Sequence, residues 1–362
     1  MRPIPVGKAG ILIPTFNRRK FLEVSLRSAL AQTYPGIEII AVDNGSSDGT
    51  AEYARSVGDP RFTFVENEAN LGMAGSVNRG MSMFGPEVGW CTVLGDDDWL
   101  EPDFVSSCLA EGARKPEAVV LDGSREIVDR KGRRLRRARR PGGDVTALGF
   151  LESRLRKRRD SFLTGLVFRR DAFLAIGGYP VFATGLASDD AFIFSLALRD
   201  RLIAVNSAPA CVRFHGEAES HLPGNLRPLL ETMDQFVAYC RAGGTVSGKF
   251  SGRDEERLVR TLDAYRAAVN SGNWLRELHA AFRREGEGDG LLKSLYALGE
   301  SPEFPFTRRV RFDSALHKTL GLSPERILLY RAVWHLPGLR SPDPCSRWVR
   351  RGMASSDPRF LL

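Results

Sequence analysis

The chain has 362 residues, 43% of them apolar and 27% charged, an ordinary globular composition that excludes a disordered or collagen-like chain and exceeds the length of one typical domain. Its net charge of +8 suits contact with something anionic: nucleic acid, a lipid surface or a phosphorylated molecule. No run approaches the ~18 apolar residues of a membrane span, the start MRPIPVGKAG lacks a signal peptide's apolar core, and the five cysteines lack CxxC spacing, so a cytoplasmic protein with reduced thiols is expected.

In chain order, GILIPTF reads as a short buried strand. In RRKFLEVSLRSALAQ, Phe21, Leu22, Leu26, Ala29 and Leu30 recur at helical spacing, and YPG stops the helix. IEIIAV is a second strand. The turn DNGSSDGT follows, with Asp48 or Thr50 placed to cap a helix through AEYARSV. RFTFVE is a third strand, NLGMAGSVNRGMSMF a glycine-punctuated loop and helix, and VGWCTVL a fourth strand. A helix near 101 to 113 and the strand AVVLDG complete the series. Such alternation implies a mostly parallel sheet with helices on both faces, in which ligands bind beyond the carboxyl ends of the strands.

Farther on, KGRRLRRARR (131 to 140) holds seven basic residues and no acid, and RLRKRR follows at 154 to 159. The PGGD between them makes the first cluster read as a solvated loop. FLTGLVFRRDAFLAIGGYP gives a strand, a short helix and a Gly-Gly turn; SDDAFIFSLALRD is a helix opening on two acids; LIAVNSAPACVRFHGEAESH gives two short strands and a polar tail. From about residue 225 the pattern turns helical, in LRPLLETMDQFVAYCRA, RDEERLVRTLDAYRAAV, NWLRELHAAFRR and GLLKSLYALGE. The expected division is residues 1–224 as an α/β domain, with halves of about 1–113 and 114–224, and 225–362 as a helical extension.

Candidate chemistry collects on one rim. Thr15 follows strand one, Asp43 ends strand two, and Asp96, Asp97 and Asp98 follow strand four in VLGDDDWLEPD. Three adjacent carboxylates repel unless a cation, hydrogen-bond donors or water compensate them. A hard divalent cation with open positions for phosphates suits them; so does a solvated turn whose acids cap the next helix. Asp189 and Asp190 carry the same ambiguity, since acids at a helix start favour the macrodipole and a carboxylate facing a hydroxyl can be a general base. His215 is a candidate ligand or phosphate contact, or an exposed histidine in a polar tail.

Taken together, ILIPTFNRRKFLEVSLRSALAQTYPGIEIIAVDNGSSDGT, NEANLGMAGSVNRG and VLGDDDWLEPDF resemble the family 2 glycosyltransferases of GT-A fold, through residue 113 and, by FRRDAFLAIGGY, to about 221. The resemblance implies a nucleotide-diphosphate sugar donor, a UDP-sugar by family habit, a hydroxyl acceptor, transfer with inversion, and Mn²⁺ or Mg²⁺. Pro14, Thr15, Asn17, Asp43, Asn70, Gly72, Asn78, Asp96 and Asp97 would then line the donor, with Asp43 accepting from the base ring. Metal ligands would be Asp97, Asp98 and His215. The family's common form is LDxDD, and Gly95 stands here where its first Asp would be. The family's ED before a helix matches Asp189 and Asp190, implying Asp190 as base with Asp189 its neighbour. A glycan, lipid-linked or natural-product acceptor is expected, with peripheral contact at an anionic inner membrane face and no nucleic-acid partner. The alternatives are a sugar-phosphate nucleotidyltransferase, for which PTFNRRKF lacks the glycines, and a non-catalytic basic nucleic-acid binder, which leaves the acids unexplained.

Overall fold

The computed structural model describes residues 7–214, 226–246, 248–283, 295, 298 and 304–306. Strand β1 (Lys8–Thr15) lies inside a seven-stranded sheet, parallel to β2 (Ile37–Asp43) on one side and to β4 (Val88–Val93) on the other. The apolar runs of β1 and β2 are buried on both faces, as central parallel strands require. Leu12, Ile40 and Val42 point into one core, while Ile11, Ile13, Ile39 and Ala41 point into the other. Beyond β2 lies the edge strand β3 (Phe62–Glu66).

Helices α1 (Arg19–Leu30) and α4 (Phe104–Arg114) supply Leu22, Leu26, Phe104, Val105 and Leu109 to the second core. On the opposite face α3 (Gly72–Met83) presses against β1 so closely that a Cβ on Gly80 would lie 2.3 Å from Leu12 Cδ1. The turn helix α2 (Thr50–Arg55) has Gly49 at its N-cap and no side-chain cap, so the expected capping by Asp48 or Thr50 gives way to a turn in which Asp48 accepts from the Thr50 amide at 3.2 Å.

The second half departs from simple alternation. β9 (Leu166–Arg169) enters antiparallel between β4 and β6 (Val120–Asp122), and β10 (Leu202–Ala204) closes the edge parallel to β6. The start of β9 therefore lies at the same rim as the carboxyl ends of β4 and β6. α6 (Arg170–Ala175) and α7 (Ser188–Arg199) follow, with Phe173, Phe192 and Phe194 in the first core.

The basic segment is not a solvated loop. A second sheet runs in the order β5 (Trp99–Leu100), β11 (Ala210–Arg213), β7 (Arg125–Val128), β8 (Arg134–Arg137). Its charges are met by acids from outside the run: Arg134 pairs with Glu126 at 3.1 Å, and Arg136 and Arg139 each pair with Asp160 at 2.6 Å. The turn is closed by Asp129 Oδ1, which accepts from the Lys131 and Arg133 amides at 2.9 Å each. A strand edge bearing arginines also discourages pairing with other chains.

Helix α8 (Leu226–Val246) buries Met233, Phe236, Val237 and Cys240 in the core that holds Phe192 and Phe194. α9 (Arg253–Arg283) is one helix where the sequence suggested two, running through Asn270, Ser271 and Gly272. The chain divides into compact units at Asn270/Ser271, so 224/225 marks a change of secondary structure inside the first unit. In the second unit, buried Trp274 donates Nε1 to the Leu295 carbonyl at 2.6 Å. Most of GLLKSLYALGE lies outside the described residues. Cys91, Cys108, Cys211 and Cys240 are free and buried. Among the described residues no helix is long and apolar enough to cross a membrane.

Candidate functional site

The rim expected from sequence is real. Thr15 at the end of β1 donates its hydroxyl to Asp96 Oδ2 at 2.8 Å, joining the first strand to the aspartate run after β4. Arg18 Nη1 lies 3.2 Å from Asp96 Oδ1 and 2.7 Å from Asp97 Oδ2, so two carboxylates converge on one positive point. Asp96 is buried, and desolvation, reinforced by the charge of Asp97, pushes its carboxyl up to about 6 against the opposing pull of Arg18 and Thr15. Asp97 is the member of the run that keeps partial exposure among buried neighbours.

Asp98 stays beside Asp97: burial first, and then the charge of Asp97, hold its carboxyl well above the usual range. Its Oδ1 accepts from the Arg213 amide at 2.7 Å, and Thr164 also hydrogen-bonds to its carboxylate. Arg213 Nε donates to the Asp97 carbonyl at 2.8 Å, and its guanidinium lies between Trp99 and Phe21, 5.0 and 5.4 Å from the ring centroids. Asp98 is thus committed to holding β11 and β9 against the run. Two of the hydrogen bonds that Asp98 can accept are taken up by the fold, whereas Asp96 and Asp97 share Arg18. His215 lies outside the described residues.

Gly95 explains its own departure from the family pattern. A Cβ there would sit 2.9 Å from Asp98 Oδ2 and 3.1 Å from Asp97 Oδ1, while the Gly95 amide donates to Thr164 Oγ1 at 2.9 Å. The acids fold back over the position an aspartate side chain would fill. With hard oxygen donors, a point where two of them meet a positive charge, and a cradle lacking a side chain, Asp96 and Asp97 fit a divalent cation whose remaining ligands come from phosphates. Among the described residues no group of three or more His, Cys, Asp or Glu converges to hold a metal without such help.

On the nucleoside side, Asp43 is fully buried and accepts from the Ser46 amide at 3.1 Å and from its hydroxyl. Asn17, at φ 53°, accepts from the Ser47 amide at 2.8 Å and donates its own amide to Ser46 Oγ at 2.7 Å, tying the loops after β1 and β2 together. Exposed Asn70 accepts from the Gly72 amide at 2.8 Å at the start of α3. Buried Asn44 is the hub beneath: its Oδ1 accepts from Asn67 and Ser76 at 2.7 Å each and from the Leu71 amide at 3.1 Å. Pro14 is buried within β1. Asn78 is not among these groups. Its carboxamide donates to the Tyr179 carbonyl at 2.9 Å and accepts from the Tyr179 amide at 2.7 Å, so it clamps α3 to the turn before α7.

The two acids of α7 differ sharply. Asp190 is buried and receives Arg154 Nε and Nη2 on its two oxygens at 2.9 and 3.2 Å, with the Tyr265 hydroxyl also donating to Oδ2. Asp189 is partly exposed and accepts from the Tyr179 hydroxyl at 2.6 Å. Desolvation, with the neighbouring charge of Asp190, holds its carboxyl above the usual range, although hydrogen bonds from Tyr179 and the Leu163 backbone act the other way. A base needs access and proton affinity. Asp190 is sealed by a guanidinium and a phenol, and Asp189 is the more open of the two acids expected at the base position. Leu163 touches Asp189 while Thr164 touches Asp98, so one segment before β9 links the acid run to the helix start.

Sequence reasoning missed Arg18, Arg154, Thr164, Arg213 and Tyr265. Only Arg18, beside Thr15 in PTFNRR, carried a local signal.

A parallel-rich sheet with a carboxylate rim after its fourth strand and a helix-borne acid across that rim is the architecture of a GT-A nucleotide-sugar transferase. Residues 10–182 match the family model described as Glycosyl transferase family 2, and the chain carries a domain of that family. Glycosyltransferase GlyA of Streptococcus pneumoniae is 31% identical over 102 residues, covering 28% of this chain and 14% of GlyA. The chain thus spans well under two thirds of that relative's length. Among solved structures, S. aureus TarS 1–349 in complex with UDP-GlcNAc superposes at TM-score 0.60 and 15% identity, over 90% of each chain. The mannosyltransferase PcManGT of Pyrobaculum calidifontis, in complex with GDP-Man and Mn2+, does so at 0.51 and 16%, over 92% of this chain and 88% of that one. Both likenesses establish the GT-A fold.

Proposed function

We propose that the chain is a metal-dependent, inverting glycosyltransferase that moves a sugar from a nucleotide-diphosphate donor, a UDP-sugar in the first instance, to a hydroxyl acceptor. The observation that carries this reading is the convergence of Asp96 and Asp97 on a single positive point at the sheet rim, with Asp189 partly open across the Thr164 segment. The nucleotide-diphosphate sugars bound by the two structural neighbours support the donor class.

In this mechanism the loops after β1 and β2 hold the nucleoside, and its base reaches Asp43 by displacing the Ser46 hydroxyl. Asn70 and Gly72 border the nucleotide from the start of α3. Asp97, assisted by Asp96, would hold Mn²⁺ or Mg²⁺, whose charge would stabilise the negative charge that develops on the departing nucleotide. Asp189 accepts the acceptor hydroxyl's proton as that oxygen attacks the anomeric carbon from the face opposite the diphosphate. Inversion follows, and no covalent sugar–enzyme intermediate forms. The basic β7–β8 hairpin, with most of its β8 side chains exposed, lies in the acceptor half, which supports a glycan or lipid-linked acceptor at an anionic inner membrane face.

Asp189→Asn tests the assignment. Loss of a general base lowers kcat by about 10²–10⁴-fold, while donor Kd, read by calorimetry with Mn²⁺, stays within a factor of two or three. Unchanged turnover in this variant removes Asp189 from the chemistry.

A further inference from the structure

The acid that the base reading leaves over has an unusually complete set of partners. Asp190 sits one residue after Asp189 in the first turn of α7, where Ala187 enters the helix at φ 59°, a strained value for a residue with a side chain. Three elements converge on it. Arg154, at the end of α5 (Ala147–Leu155), grips both carboxylate oxygens, at 2.9 and 3.2 Å, and Tyr265 of α9 donates its hydroxyl. Arg154 Nη1 also donates to the Arg159 carbonyl at 2.9 Å, fixing the loop that leads to Leu163 and Thr164. The charge of Asp190 also reaches Cys240 of α8 and Tyr179, from the turn before α7, whose hydroxyl donates to Asp189.

We propose that the Arg154–Asp190–Tyr265 cluster is the positioning device of the base: it fixes the first turn of α7 so that Asp189 faces the acceptor, and its balanced charges set how readily Asp189 takes a proton. The inference rests on the reading of Asp189 as base. It carries the catalytic unit well past the family-matched residues 10–182: both acids lie just beyond them, and Tyr265 comes from the helical region farther on.

A purely structural cluster and a positioning one make different demands on pH. The negative charge of Asp190 favours protonation of Asp189 and the positive charge of Arg154 opposes it. Asp190→Asn therefore moves the acidic limb of the kcat/KM profile down, and Arg154→Gln moves it up. Each shift is about 0.5–1 pH unit, as for a unit charge roughly one residue away in a partly solvated pocket. The double variant returns the limb to the wild-type position. It also recovers part of the melting temperature, because neither partner is left as a lone buried charge. The assay is nucleotide release from the UDP-sugar giving the largest Mn²⁺-dependent thermal shift, from pH 4 to 9.

Tyr265→Phe keeps both charges. It should lower kcat several-fold with donor Kd unchanged, and it covers the case in which the charge variants do not fold. Limbs that stay still or move the same way, or a Tyr265→Phe enzyme with wild-type kcat, overturn the proposal. Asp189→Asn measured alongside separates the failures: turnover retained there removes the base assignment itself, whereas turnover lost there with stationary limbs removes only the positioning role.

Discussion

Thr15→Val isolates one hydrogen bond on which the acid run depends. The substitution keeps shape and volume and removes the hydroxyl that donates to Asp96 Oδ2 at 2.8 Å, with Thr15 and Asp96 exposed by 3% and 6%. A hydrogen bond to a charged group contributes about 1.5–3 kcal/mol, and a buried acceptor that loses it recovers little from water. Arg18 still supports the carboxylate, which places the expected loss near the middle of that range, about 2 kcal/mol. For a unit of this size each kcal/mol lowers Tm by roughly 2–4 °C, so a drop of about 4–8 °C is predicted in metal-free buffer. Thr33→Val is the control: its hydroxyl bonds Asp103 at 2.7 Å on the surface and should cost less than about 0.5 kcal/mol. Thr15→Val unfolding at the same temperature as Thr33→Val would refute the claim that Asp96 is a desolvated carboxylate held by donors.

Gly95→Ala places a methyl 2.9 Å from Asp98 Oδ2 and 3.1 Å from Asp97 Oδ1. It should destabilise by about 1–3 kcal/mol in urea and weaken donor binding in the presence of Mn²⁺; a variant with wild-type donor affinity would show that the acids do not depend on the cradle. Asp160→Asn removes the partner of Arg136 and Arg139, both substantially exposed, so the stability loss is only about 1 kcal/mol. Trypsin should nevertheless cut within 133–140 several times faster, and an unchanged cleavage rate would mean that Asp160 does not hold the hairpin.

The fold of the first half was legible because its signals are local. Continuous apolar runs such as GILIP and IEIIAV, punctuated by YPG and DNGSSDGT, specify buried parallel strands and their turns. The rim followed from the carboxyl-end rule, which brought Thr15, Asp43 and the aspartate run together before any coordinates. Where local patterns stop short, the deciding contacts are distant in sequence. The basic run became a hairpin because its partners are Glu126 and Asp160, outside the run itself. Asp98 of the triplet is engaged by Arg213, more than a hundred residues away. The choice between Asp189 and Asp190 depends on Arg154 and Tyr265, and Asn78 is taken up by the backbone of Tyr179. One-dimensional patterns report which residue types occur at an element's end, whereas burial and ion pairing decide which of them remain available to a ligand.

The most direct test of the central claim is calorimetric titration of the thermal-shift-selected UDP-sugar into wild type and Asp97→Ala, each with Mn²⁺ and with EDTA. A cation held by Asp97 and completed by the diphosphate predicts tight binding only in wild type with Mn²⁺, and at least a tenfold weaker Kd, about 1.4 kcal/mol, in the other three titrations. Equal affinity in all four would contradict the assignment of the aspartate run as the metal and diphosphate site.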